Sequence, residues 1–196
     1  MVKKILKITA FILALVLVLF AAQRILMPKY VSEAQDGRLI GEYYHSAKNH
    51  DVIFVGDCEV YENISPITLW QEYGIASYVR GSPQQLIWHS YYLMEETLRY
   101  EKPKAFVFNV LSMKYGEPQS EAYNRLALDG MKWSASKAGS INASMTEEES
   151  FLSYAFPLLR FHSRWSELTA EDFKYAFQKT PQLSINGYLM RVDVDG

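Results

Sequence analysis

The chain has 196 residues, 49% of them hydrophobic, and its 20 basic and 22 acidic side chains give a formal net charge of -2. This length suits one domain with a sizeable core, and the hydrophobic fraction excludes a disordered chain. The near balance of charge gives no reason to expect nucleic acid as a partner, and the single cysteine excludes an internal disulfide and a multi-cysteine zinc site.

The N-terminal segment carries three lysines followed by an uncharged apolar run over residues 8–22. With the apolar residues just before it, this run is long enough to cross a bilayer as a helix, and the preceding lysines favour a cytoplasmic N-terminus. A cleaved signal peptide is the alternative, but cleavage after Ala22 would put Phe20 where a small residue is needed. We therefore expect a retained anchor over residues 1–24, a juxtamembrane segment over 25–50 and an extracytoplasmic remainder at the cell membrane.

A strand and a helix follow the juxtamembrane segment. Residues 52–55 are all apolar and predict a short, buried strand. Ser65 and Pro66 have the residue types of a helix cap and a first helical position, and Gly74 marks a helix stop after Tyr73.

The same alternation continues to about residue 110. Residues 75–81 predict a second strand, Ser82 and Pro83 repeat the helix start, and residues 105–110 predict a third strand. The helix between them should run to about Glu101. Its predicted buried stripe has helical spacing and consists of Ile87, Tyr91, Met94 and Leu98. This order of elements predicts right-handed crossovers and an α/β fold with a parallel sheet.

Polar and reactive groups follow the ends of these strands, where ligands bind in parallel α/β sheets. Gly56, Asp57 and Cys58 follow the first strand, Gly81 ends the second, and Asn109 lies at the end of the third. This is the layout for acyl transfer: Cys58 as nucleophile, with the Gly81 amide and the Asn109 side chain stabilising the oxyanion.

A helical insertion or lid is predicted over residues 112–180. Its helices are expected around residues 121–128, from Thr146 to Tyr154, and around residues 169–178. Asn186 and Gly187 indicate a hairpin or a further strand near the C-terminus. The small sheet and the missing closing element predict that the domain over 51–196 is incomplete.

The chain resembles the SGNH (GDSL-type) hydrolase superfamily, and more closely membrane-anchored SGNH-like proteins of Gram-positive gut bacteria, often encoded near membrane-bound O-acyltransferases. The resemblance covers about residues 51–196 and rests on Gly56-Asp57-Cys58, on "ITLWQEYGIASYVRGSPQQLIWHSYYLMEETLRYEKPKAFVFNV" and on "ALDGMKWSASK…FPLLRFHSRWSELTAEDF". It implies a flavodoxin-like three-layer α/β/α sandwich and esterase or acyltransferase activity on acylated cell-envelope carbohydrate. It also implies a membrane O-acyltransferase as a possible partner.

The resemblance places Cys58 at the position of the family's serine nucleophile, Asp57 in the turn, and Gly81 and Asn109 at the oxyanion positions. The family's Asp-x-x-His block has no counterpart here, so the chain as given has no recognisable base. No cofactor and no metal site are predicted.

The serine-to-cysteine replacement leaves two interpretations open. A helix N-terminus lowers a thiol pKa, whereas the neighbouring carboxylates of Asp57, Glu59 and Glu62 raise it. Cys58 is therefore either a nucleophile or a small buried thiol in an inactive binding or accessory relative. A redox role is the least favoured, because a resolving cysteine is missing.

Overall fold

The computed structural model describes residues 2–29, 38–118 and 120–190. The strands are β1 (Val52–Gly56), β2 (Ser77–Gly81) and β3 (Ala105–Phe108). The α-helices are α1 (Val2–Leu26), α2 (Leu39–Glu42), α3 (Cys58–Tyr61), α4 (Pro66–Tyr73), α5 (Ile87–Thr97), α6 (Glu121–Leu128), α7 (Ala135–Ser144), α8 (Phe151–Ala155), α9 (Leu158–Phe161) and α10 (Ala170–Phe177). Short 3-10 helices cover Tyr43–His45, Val110–Lys114 and His162–Ser166.

The chain divides into two compact units. We call residues 1–31 with 152–181 the helical unit, and residues 32–151 with 182–196 the α/β unit.

The α/β unit is built on a parallel sheet with strand order β2-β1-β3. Gly56 pairs in register with Gly81, and Val55 pairs with Arg80 on one side and with Phe108 on the other. Ile53 and Val55 of the central strand are fully buried. The predicted α/β fold with a parallel sheet is thus confirmed.

Helix α4 forms where the local sequence predicts it. The Ser65 hydroxyl accepts a hydrogen bond from the Thr68 amide at 3.2 Å, and Pro66 is the first helical residue. Gly74 ends the helix with a φ of 68°, a left-handed conformation that glycine adopts at little cost.

The start predicted for the next helix at Ser82 and Pro83 is wrong. Helix α5 begins only at Ile87. The Ser82 hydroxyl donates to the side-chain oxygen of Gln85 at 3.1 Å instead of capping a helix, and Gln84 has a φ of 48°, which no α-helix contains. Residues 82–86 therefore form a loop held by its own polar side chains.

The predicted buried stripe of α5 is also wrong. Tyr91 and Leu98 are exposed. The buried residues of the helix are His89, Ser90, Leu93, Glu96 and Thr97.

The physical reason is Arg80 in the middle of the unit. Its side chain is fully buried, and its guanidinium pairs with Glu96 at 3.0 Å and donates to the Thr97 hydroxyl at 2.9 Å. It also lies 4.1 Å from the ring centroid of Tyr43. A buried charge is costly unless it is paired, so the polar face of α5 turns inward.

The third strand is shorter than predicted. It ends at Phe108, and Asn109 caps the 3-10 helix Val110–Lys114 by accepting from the Leu111 amide at 2.8 Å.

Beyond residue 115 the predictions are mixed. Helix α6 and the capping box of Thr169 and Asp172 at the start of α10 are confirmed. Helix α7 is absent from the predictions. The Thr146 amide and hydroxyl both donate to Glu149 at 3.0 Å, as in a capping box, but a turn follows and α8 begins only at Phe151.

The predicted hairpin near the C-terminus is present as a tight turn. Ile185 and Tyr188 form an antiparallel bridge around Asn186 and Gly187, which have φ values of 51° and 79°. The Asn186 carbonyl accepts from the Val79 amide at 2.9 Å, so this turn covers part of the outer edge of β2. Any strand beyond it, over residues 191–196, lies outside the described residues.

The helical unit combines α1 with the helices of residues 152–181. α1 is long and apolar enough to cross a membrane, a property that signal sequences near an N-terminus share. Near its end, Arg24 donates to the Ala176 carbonyl of α10, and the Arg164 guanidinium donates to the Leu26 carbonyl at 2.5 Å. Polar contacts therefore hold the later helices against the last turns of α1.

Candidate active site at the carboxyl ends of the strands

Two paired glycines end β1 and β2 and allow α3 to lie against the strand ends. A Cβ atom on Gly56 would come within 2.7 Å of the Asn109 Cβ. A Cβ atom on Gly81 would come within 2.8 Å of Tyr61 Cδ1 in α3 and 2.9 Å of the Gly56 carbonyl oxygen. Both positions therefore require glycine, because real Cβ contacts are not this short.

Asp57 joins the first and third strand ends. It is the N-cap of α3: its Oδ1 accepts from the Glu59 amide at 3.2 Å and from the Asn109 Nδ2 at 3.0 Å. The residue is 8% exposed. The Asn109 side chain is held from both ends, since its oxygen accepts from the Leu111 amide.

Cys58 is the first residue of α3 and is exposed. Partial burial of the thiol raises its pKa, and the carboxylates of Asp57, Glu62 and Glu59 raise it further. The hydrogen bond from the Glu59 amide acts in the opposite direction and is outweighed. This direction agrees with the effect predicted for the neighbouring carboxylates.

The two predicted oxyanion donors keep their places at the strand ends. Gly81 is buried beside Gly56, with the Tyr61 side chain on its Cβ side. The Asn109 side-chain amide has two N–H donors, and one of them donates a hydrogen bond to Asp57. Their role toward an oxyanion stays a prediction.

The histidines make their contacts elsewhere. His50 lies with its Nδ1 3.0 Å from the Glu101 carboxylate, before β1 rather than after it. The length of β1, about 16 Å, separates that position from Cys58. His89 is buried and accepts from the Leu86 amide at 3.2 Å, and His162 lies in the helical unit with its Nδ1 2.9 Å from the Leu159 carbonyl. His45 is exposed in the segment that precedes the sheet.

An open cleft of about 300 Å³ lies at the opposite end of the sheet. Its lining includes His50, Trp70, Ser77 and Asn186, which belong to the amino ends of β1 and β2 and to the segments beside them. Sequence reasoning missed this cleft, because its residues come from four separate segments.

Comparison with protein-family models, with curated proteins and with solved structures finds no match to this chain. Among the described residues, no group of three or more histidine, cysteine, aspartate or glutamate side chains is placed to hold a metal ion.

Proposed function

We propose that this chain is a membrane-anchored, extracytoplasmic SGNH-like hydrolase or acyltransferase that acts on O-acyl esters of cell-envelope carbohydrate. The observation that supports this proposal best is the position of Cys58. It is exposed on the first turn of a helix directly after the central strand, beside an Asp57 that the Asn109 side chain ties to the third strand. A reacting carbonyl at Cys58 would thus meet groups from neighbouring strand ends.

The proposed fold is the flavodoxin-like three-layer sandwich that the resemblance implies. The strand order β2-β1-β3 supports it, because such sheets begin with this order and continue beyond the third strand. In the described residues no strand pairs with the outer edge of β3, and Val107 of that strand is 45% exposed. A sandwich of the proposed kind would cover this edge with a further strand.

The proposed chemistry proceeds through a thioester. The Cys58 sulfur attacks the ester carbonyl, a base takes the thiol proton, and the tetrahedral oxyanion collapses with release of the sugar alcohol, which receives that proton. Water or a second sugar hydroxyl then attacks the thioester and regenerates the thiol. The Asn109 amide and the Gly81 amide would stabilise the oxyanion in both steps. The base would come from outside the described residues, as the resemblance implies.

A second candidate function is a catalytically inactive SGNH-like protein that binds glycan or serves a membrane O-acyltransferase as an accessory subunit. The raised pKa of Cys58 favours it, because a nucleophilic cysteine normally has a lowered pKa.

Replacement of Cys58 by serine separates the two functions. The purified full-length protein is assayed with p-nitrophenyl acetate and with O-acetylated envelope glycan as native chain, Cys58→Ser and Cys58→Ala. An active site predicts turnover in the native chain or the serine variant and none in the alanine variant. If all three proteins fail to release acetate but still bind the glycan, the accessory function replaces the enzyme.

A further inference from the structure

The helical unit exposes several large apolar side chains within residues 152–181. Six of them are at least 56% exposed: Leu152, Phe156, Leu159, Trp165, Phe173 and Phe177. Four of these six side chains are aromatic, and exposed large apolar side chains that lie together mark surfaces that bind a protein or a membrane.

Helix α10 shows that the exposure follows from how the helix is turned. Asp172 and Ala176 are buried four residues apart, and the Ala176 carbonyl accepts from Arg24 of α1. Phe173 and Phe177 are also four residues apart and are 56% and 65% exposed. Spacing of four residues places each pair along one line of the helix, with Asp172 and Ala176 turned inward and the two phenyl rings at the surface, where the Phe177 ring borders Arg24 of α1.

The exposed aromatic side chains lie near one end of α1, and this position indicates what they contact. The Arg24 guanidinium lies 5.8 Å from the Phe20 ring centroid of α1 and 5.9 Å from that of Phe177. Arg164, next to Trp165 in sequence, donates to the carbonyl of Leu26, the last residue of α1. Phe177 and Trp165 are therefore level with the last turns of a helix that is long and apolar enough to cross a membrane.

We propose that the helical unit lies on the membrane surface where α1 ends and buries its exposed aromatic side chains among the lipids. Amphipathic aromatic side chains such as tryptophan are enriched at this depth, because the ring is apolar and its N–H remains hydrated. The charges agree with this environment. From residue 24 onward the unit carries six basic and three acidic side chains, which favours anionic lipid headgroups. This inference rests on the proposed membrane anchor and is independent of the proposed acyl transfer.

Tryptophan quenching in reconstituted vesicles tests the proposal with single, conservative substitutions. The full chain, Trp165→Phe and Trp70→Phe are placed in vesicles of phosphatidylcholine and phosphatidylglycerol, with or without bromine on the acyl chains. Trp70 of α4 is the matched control, because it is 61% exposed against 74% for Trp165. We expect brominated lipid to quench the native chain, and the quenched signal to fall about threefold or more in Trp165→Phe but not in Trp70→Phe, as for a ring at headgroup depth.

Three other results would overturn the proposal, each for a different reason. If the chain does not float with the vesicles, the anchor itself is wrong, and the lipid contact with it. If the chain floats but aqueous iodide quenches Trp165 as strongly as Trp70, the anchor stands and the helical unit projects into water. If neither quencher reaches Trp165, protein rather than lipid covers this surface, as a membrane protein partner would.

Discussion

Asn109 and Asp57 connect the ends of β3 and β1 through a hydrogen bond of 3.0 Å between the asparagine Nδ2 and the carboxylate Oδ1. Asp57 is a buried residue, and its carboxylate also caps α3. One side-chain contact thus positions the turn that carries Cys58, whether that cysteine is a nucleophile or not.

Replacement of Asn109 by alanine is expected to destabilise the fold. The buried Asp57 carboxylate would lose a donor, and such a loss typically costs about 1–3 kcal/mol. The free energy of unfolding in detergent, measured with urea, reports this change. Asn142→Ala is the control, because Asn142 is exposed on α7 and its loss should change stability by less than about 0.5 kcal/mol. Equal stability of the two variants would show that the Asp57 contact contributes nothing.

The Cys58 thiol is expected to react more slowly with iodoacetamide at pH 7 than free glutathione does. Partial burial and the nearby carboxylates raise its pKa, and only the thiolate is alkylated. Glu62→Gln removes one of those charges and should lower the pKa, so labelling at pH 8 becomes faster. Glu72→Gln, on the exposed side of α4, should leave the rate unchanged. Faster labelling of the native thiol than of glutathione would instead indicate a stabilised thiolate.

The buried ion pair of Arg80 and Glu96 is expected to matter more for stability than an exposed one. Glu96→Gln leaves the Arg80 charge without its counterion in a site that is fully buried, at a cost of about 3–5 kcal/mol. Lys104→Ala breaks the exposed pair of Lys104 with Asp51 and should cost less than about 1 kcal/mol. Urea unfolding compares the two variants.

The double variant Arg80→Met/Glu96→Leu completes this comparison. It removes both charges, so its loss of stability should be smaller than that of Glu96→Gln alone. A larger loss would mean that packing around Arg80, rather than its charge, dominates.

His89 is expected to make the fold less stable as the pH falls below about 6.5. Burial lowers the pKa of His89 from 6.5 to about 3. Between these two pH values the unfolded chain binds a proton at His89 and the folded chain does not. The contribution of neutral, buried His89 to the free energy of unfolding is complete above pH 6.5 and is lost progressively as the pH falls towards 3. Between pH 6.5 and 5 the loss is about 2 kcal/mol, at roughly 1.4 kcal/mol per pH unit.

Thermal unfolding between pH 7.5 and 5 measures this slope, with His89→Gln and the exposed His45→Gln as variants. The slope should become shallower only in His89→Gln. The same slope in both variants and in the native chain would assign the pH dependence to other groups.

The sequence alone was sufficient to predict those helices and strands whose ends are set by residues close together in the chain. Ser65, Pro66 and Gly74 bound α4 because a cap, a first-turn proline and a left-handed glycine act within a few residues of each other. The strands β1 and β2 were predicted from short runs rich in apolar residues, and the start of α10 was predicted from the residue types at positions 169–172. The positions of Cys58, Gly81 and Asn109 at the strand ends follow from the predicted bounds of the strands, whereas the strand order β2-β1-β3 was not predicted.

Only the tertiary structure decided which side chains those elements bury and contact. The apolar spacing of α5 predicts the wrong face, because a charge on β2, Arg80, needs polar partners from a distant helix. The link between Asp57 and Asn109 joins residues 52 positions apart, and the contacts of Arg24 and Arg164 with their partners span more than 130. Hydrophobic periodicity reports what a segment could bury, whereas pairing of buried polar groups across the chain determines what it does bury.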